Sequence, residues 1–198
     1  MNDNEDVKDQ LKIKNKEIYL NKLNLDLDNN LEVLVLTVDN LLNTNKEMLI
    51  KKIIDIEESF LNQELIEEKV SSFFEQYRVE FMNLLDNKKL DLKNTIIIHD
   101  DLEICKNNIQ DNYFSLEKQI KEFTSQEIKQ SEKLLLNDIN DKFKQKRLKD
   151  YLENIFIINL NNKILDIIRN RDIILINTFQ ETYLKYLELN KNTISYIK

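Results

Sequence analysis

A chain of 198 residues with no glycine and no proline has almost no way to build a β fold. Two-residue hairpins depend on Asn-Gly, Asp-Gly or Gly-Gly turns, and all-β chains are punctuated by glycine and proline throughout. At usual frequencies the two residues together would occupy about twenty positions in a chain of this length. Helices joined by asparagine and aspartate need neither, because those side chains cap helix ends and tolerate left-handed backbone. The expected class is therefore all-α.

Tryptophan and alanine are missing as well. All four absent residues have GC-rich codons, so AT-rich coding accounts for part of the composition. Abundance alone then says little, but complete loss of both turn-forming residues still does. With 41% hydrophobic and 33% charged residues, the chain can bury a core and clothe long solvated faces. One all-helical domain over residues 1–198 fits this length. The expected arrangement is an elongated antiparallel bundle of long, coiled-coil-like helices, with a joint between sub-bundles near residues 86–95.

The stretch Tyr151–Leu189 organises this reading. Its middle, Ile155–Ile176, carries apolar residues on more than one helical face, which predicts a central helix surrounded by others. Asn159, Asp166, Arg169, Arg171 and Asp172 interrupt it too often for a membrane span. Arg169, Arg171 and Asp172 are candidate interaction residues, since a polar group on a crowded helix can fix register or partner choice.

Elsewhere the periodicity predicts further helices. Val7, Leu11, Ile18 and Leu25 form a narrow seam, which Asp26–Asn30 should interrupt. Leu31–Leu42 alternates partly like a strand but fits helical spacing better. Thr44 and Glu47 match a capping box, predicting a helix from there to the Asp86–Lys89 stretch. Within it Phe73, Phe74, Tyr77 and Phe81 make an aromatic stripe: ordinary core at this spacing, and otherwise a partner groove. A second seam runs from Ile98 through Cys105, Ile109, Tyr113, Leu116 and Ile120 to Phe123. Thr124 with Glu127 suggests a kink there, whereas the stripe through Phe179, Tyr183 and Leu187 argues against a break at Thr178. Both chain ends, Met1–Asn4 and Asn190–Lys198, should fray. No period of helical pairs indicates a solenoid.

Chemistry finds little to work with. Phosphate-binding loops and nucleophile elbows require glycines that the chain lacks. His99, Asp100, Asp101, Glu103 and Cys105 form the one metal-like cluster, but a single histidine is short of the ligand sets that helical bundles use. Its simpler reading is a helix N-terminus carrying acidic residues, with Cys105 in the core. No enzyme, cofactor or metal is therefore expected. A lone cysteine makes no intrachain disulfide, and the polar N-terminus lacks a signal peptide's apolar stretch, so the expected location is cytoplasmic.

The net charge of −7 argues against a nucleic-acid partner. The basic run Lys142, Lys144, Lys146, Arg147 and Lys149, with Phe143 inside it, is a candidate contact for an anionic surface, although Asp138, Asp141 and Asp150 flank it. The leading functional expectation is a non-enzymatic scaffold, adaptor or assembly subunit that works by helix packing, including self-association. The alternatives are a membrane-surface helical protein and a helical-bundle metalloprotein.

Overall fold

The computed structural model describes residues 3–56, 63–98, 101–126, 128–137, 139 and 141–196. Helix α1 spans Asp3–Ile56, α2 Gln63–Ile98, α3 Leu102–Gln126, α4 Ile128–Leu136, α5 Lys142–Tyr151 and α6 Ile157–Tyr196. One π-helical turn, Leu152–Phe156, joins α5 to α6 without breaking the helical backbone. No strand occurs among the described residues, so the all-α expectation holds.

The helices form four antiparallel columns: α1, then α2, then α3 followed by α4, then α5 running through the π turn into α6. Each column packs on the next, and the fourth closes on the first. Columns two and four face each other across the diagonal, where α2 and α6 run parallel. The core is the set of side chains that all four columns turn inward. Leu27, Leu34 and Val38 of α1 meet Val70, Tyr77 and Phe81 of α2, Ile109 and Ile120 of α3, and Ile164 and Ile168 of α6. Burying each such side chain contributes about 1.5–3 kcal/mol.

Several boundaries differ from expectation. Helix α1 is continuous for 54 residues, about 80 Å at the α-helical rise. Asp26–Asn30 does not interrupt it: Asp26 and Asn30 are buried, held by bonds to α6. Thr44 starts no helix either, because its hydroxyl donates to the Asn40 carbonyl one turn back, which lets threonine sit inside a helix. The α1–α2 connection falls in 57–62, outside the described residues. Helix α2 runs through Asp86–Lys89 and residues 86–95 to Ile98. Leu31–Leu42 is helical, as expected, and so are Asn190–Tyr196, which were expected to fray. Thr178 also donates one turn back, and α6 passes it unbroken. Glu127, half of the proposed kink signal, is outside the described residues.

The columns have unequal lengths, and this shapes the molecule. Ion pairs from Arg78 to Asp39 and from Lys93 to Asp28 set the α1–α2 register, so that α2 ends about level with Tyr19. Arg169 over the Tyr113 ring sets the α3–α6 register, and α3 begins about level with Gln180. Beyond that level only α1 and α6 continue, as a two-helix arm of roughly 20–25 Å. Tyr19 stacks on Tyr186 at 4.5 Å and packs against Tyr183 at 6.1 Å at the arm's root. Farther out, Asn15 donates to Asn190 and Thr193. Among the described residues, none of α1 before Asn15 and none of α6 after Thr182 is buried.

Candidate functional site

The sequence-derived candidates divide cleanly. Phe73, Phe74, Tyr77 and Phe81 are all buried. Phe74 meets Phe156 edge-on at 6.0 Å, and Tyr77 stacks on Phe81 at 6.0 Å. The chain's own core therefore occupies the stripe. The Tyr77 hydroxyl donates to the Asn161 side chain across the diagonal, and burial holds its ionisation above the ordinary tyrosine range.

Asp172 belongs to a buried ion pair. Lys88 Nζ lies 3.1 Å from its Oδ2, with side chains 1% and 9% exposed, and also donates to Asn112 at 2.9 Å. Burial pushes the Lys88 ammonium down and the Asp172 carboxyl up, each opposed by the charge of the other. Arg171 donates Nε–H to the Asn30 side chain at 3.0 Å, while Asn30 donates to the Arg171 carbonyl at 2.8 Å. Thr182 donates to Asp26 at 2.9 Å. Together these contacts form a polar ladder that pins the register of α6 against α1 and α2. Asp172 and Arg171 therefore act inside the chain, and Arg169 does so through its cation–π contact with Tyr113.

Three sequence expectations need correction. The central stretch is covered on one side only, since Ile155, Ile158, Ile173 and Ile174 are exposed; two neighbouring columns cover it, and its other face meets solvent. The seam drawn through Val7, Leu11, Ile18 and Leu25 is not the buried row of α1. That row runs through Asn15, Tyr19, Leu23, Asp26, Leu27 and Asn30, where polar residues that bond to α6 break the apolar pattern. The second seam does sink Cys105, Ile109, Tyr113, Leu116 and Ile120, but Ile98 closes α2 rather than opening α3.

His99 and Asp100 are outside the described residues. Asp101 accepts a hydrogen bond from the Glu103 backbone N–H at 2.8 Å, so it works as a helix cap. Glu103 pairs with Lys106 at 3.4 Å. No group of three or more His, Cys, Asp and Glu side chains placed to hold a metal ion occurs among the described residues. On α5, Asp141 caps the helix by accepting from the Phe143 N–H at 2.8 Å. Phe143 is 73% exposed among the lysines of the basic run.

A cleft that sequence reasoning missed lies where α4, the π turn and α6 meet. Its volume is about 550 Å³, and Lys129, Lys133, Lys149, Glu153 and Asn161 line it around Glu132. Glu132 is 4% exposed, and its Oε1 has no hydrogen-bond partner among the described residues. Burial first, and the adjoining Glu153 carboxylate second, push the Glu132 carboxyl up to about 7 against the pull of Lys149 and Lys129. A carboxyl of this kind can exchange a proton near neutrality. Glu132 sits on α4 and its acidic partner Glu153 on the π turn, so no local pattern marks the pair.

Exposed apolar side chains run along both parts of the molecule: Val7, Ile13 and Ile18 of α1 and Leu184, Leu187 and Leu189 of α6 on the arm, and Leu25, Leu36, Leu90 and Phe114 among others on the body. No helix is long and apolar enough to cross a membrane among the described residues. No family model, curated protein or solved structure matches the chain.

Proposed function

We propose that the protein is a non-enzymatic helical scaffold, a subunit that joins an assembly by packing helices against a partner protein through its arm. The observation that carries this reading is the pair Val7 and Ile18, three turns apart on one side of α1 in the arm and yet 48% and 52% exposed. Single exposed apolar residues are ordinary on soluble proteins, whereas a continuous patch marks an interaction surface. The buried seams and the polar ladder of the body are satisfied within the chain. Affinity capture from the source cells tests it, with the intact chain compared against Ile18→Glu. Partners lost with the variant, at unchanged helicity, support the reading, and an unchanged set of partners contradicts it.

One observation favours a second reading, docking on an anionic membrane surface through α5. Phe143 stands out from the helix beside Lys142, Lys144, Lys146, Arg147 and Lys149, a combination suited to lipid headgroups. Flotation with phosphatidylserine-rich vesicles should recover the intact chain but not Phe143→Ser if this reading holds.

A further inference from the structure

We propose that the cleft between α4, the π turn and α6 binds a small organic anion, whose charged group is held by Lys129, Lys133 and Lys149 and whose apolar body lies along Ile157 and Ile158. The site is on the body, apart from the arm, and goes beyond the scaffold reading without depending on it. The cleft arises from the way the third column ends. Helix α3 packs on α6, whereas its continuation α4 turns onto α2 and α5 and makes no close backbone approach to α6 among the described residues. The gap of about 550 Å³ that opens there is of the size that takes a small molecule.

The charges at the cleft call for an anion. Elsewhere lysines are paired, as Lys22 is with Asp26, Lys93 with Asp28 and Lys121 with Glu117. Lys129, Lys133 and Lys149 have no carboxylate within ion-pair distance among the described residues. Lys129 and Lys133 are one turn apart on α4, where like charges repel, and a bound anion would relieve that repulsion. Glu132 closes the inner end of the cleft, 4% exposed and with its Oε1 unmatched among the described residues. A buried polar atom left unmatched is costly, and a ligand oxygen can match a protonated carboxyl. Burial and the Glu153 carboxylate of the π turn favour that proton, while Lys149 of α5 and Lys129 of α4 oppose it. A bound anion adds negative charge beside Glu132, so binding should draw a proton onto it. A metal cation would instead meet three lysines, and no group of side chains placed to hold one occurs among the described residues.

Isothermal titration calorimetry of the intact chain with octanoate, octyl phosphate and, as the uncharged control, octanol tests this. At pH 6 at least one of the two anions should bind with a dissociation constant below about 1 mM, and octanol at least about tenfold more weakly. Tighter octanoate identifies a carboxylate ligand, and tighter octyl phosphate a phosphate ester. Lys133→Ala and Lys149→Ala, both at exposed positions, should each weaken the tighter anion about tenfold with unchanged circular dichroism. Glu132→Gln should still bind, because its amide N–H can donate in the same place. Binding heats at pH 7.5 in two buffers of different ionisation enthalpy give the protons taken up. The intact chain should take up about half a proton or more beyond Glu132→Gln, a difference that cancels the ligand's own titration. No heat from either anion up to about 10 mM overturns the proposal. So do octanol binding as tight as the anions, an affinity indifferent to both lysine substitutions, and equal proton uptake by the two proteins.

Discussion

The four-column body and the two-helix arm share two helices, α1 and α6, and differ in how many neighbours those helices have. In the body, polar side chains such as Asp26, Asn30, Lys88 and Asp172 are buried and matched, and apolar side chains divide between a buried core and an outer face that leaves Leu25, Leu36, Leu90 and Phe114 exposed. In the arm, the apolar row is on the outside and only Asn15 is buried among the described residues of α1 before Tyr19. The direction a helical face turns decides what it is for: apolar residues turned toward neighbouring columns are core, and those turned outward stay exposed along body and arm alike.

That contrast can be broken or sharpened by substitution. The largest effects belong to the body. Phe81→Ala should destabilise the fold by about 3–5 kcal/mol, because the wall of four columns cannot collapse into the cavity; urea unfolding followed by circular dichroism measures it. Lys88→Met should cost a comparable amount, about 3–5 kcal/mol, by leaving Asp172 buried without its counter-charge. The double replacement Lys88→Met with Asp172→Leu should return stability to within about 1 kcal/mol of the original or above it. If the single replacement proved harmless, the ladder would not be what pins the register.

In the arm the effects should be smaller and local. Asn15→Ala removes hydrogen bonds to Asn190 and Thr193 and should cost about 1 kcal/mol. Amide exchange should speed up in the outer turns of α1 and α6 and stay unchanged in α2 and α3. A uniform change across all helices would mean that arm and body unfold as one unit.

The smallest expected effect is a pH dependence at the cleft. The folded chain holds the Glu132 proton up to about 7, while a glutamate in the unfolded chain releases it near its ordinary value of 4.5. Stability from this group is therefore full below the lower value and is lost as pH rises through the window between them. The melting temperature of the intact chain should fall relative to that of Glu132→Gln between pH 5 and pH 8. Parallel curves for the two proteins would show that Glu132 titrates normally.

Much of this architecture was legible in the residues. The absence of glycine and proline selected the class, and the stripe from Val70 to Leu85 was clean enough to read as core because α2 turns it inward between α1 on one side and α3 and α4 on the other. Helix boundaries were less legible. Thr44 with Glu47 has the spacing of a helix start, but the same hydroxyl inside a helix bonds one turn back, and spacing does not separate the two. The buried row of α1 was hidden because asparagine, aspartate and tyrosine interrupt it, and those residues are explained only by partners on α6. The exposed row looked like the better seam, being free of such interruptions. Glu132 and Glu153 stand 21 positions apart in the sequence, and their meeting depends on how α4 folds back beside the π turn.

Hydrogen exchange on the intact chain, followed peptide by peptide, tests the division between body and arm most directly. The body should be strongly protected. Peptides covering Val7–Ile18 and Tyr183–Glu188 should exchange faster than the body, because only two helices pack there. Arm peptides as protected as the core would contradict the account, since the two helices would then need no partner.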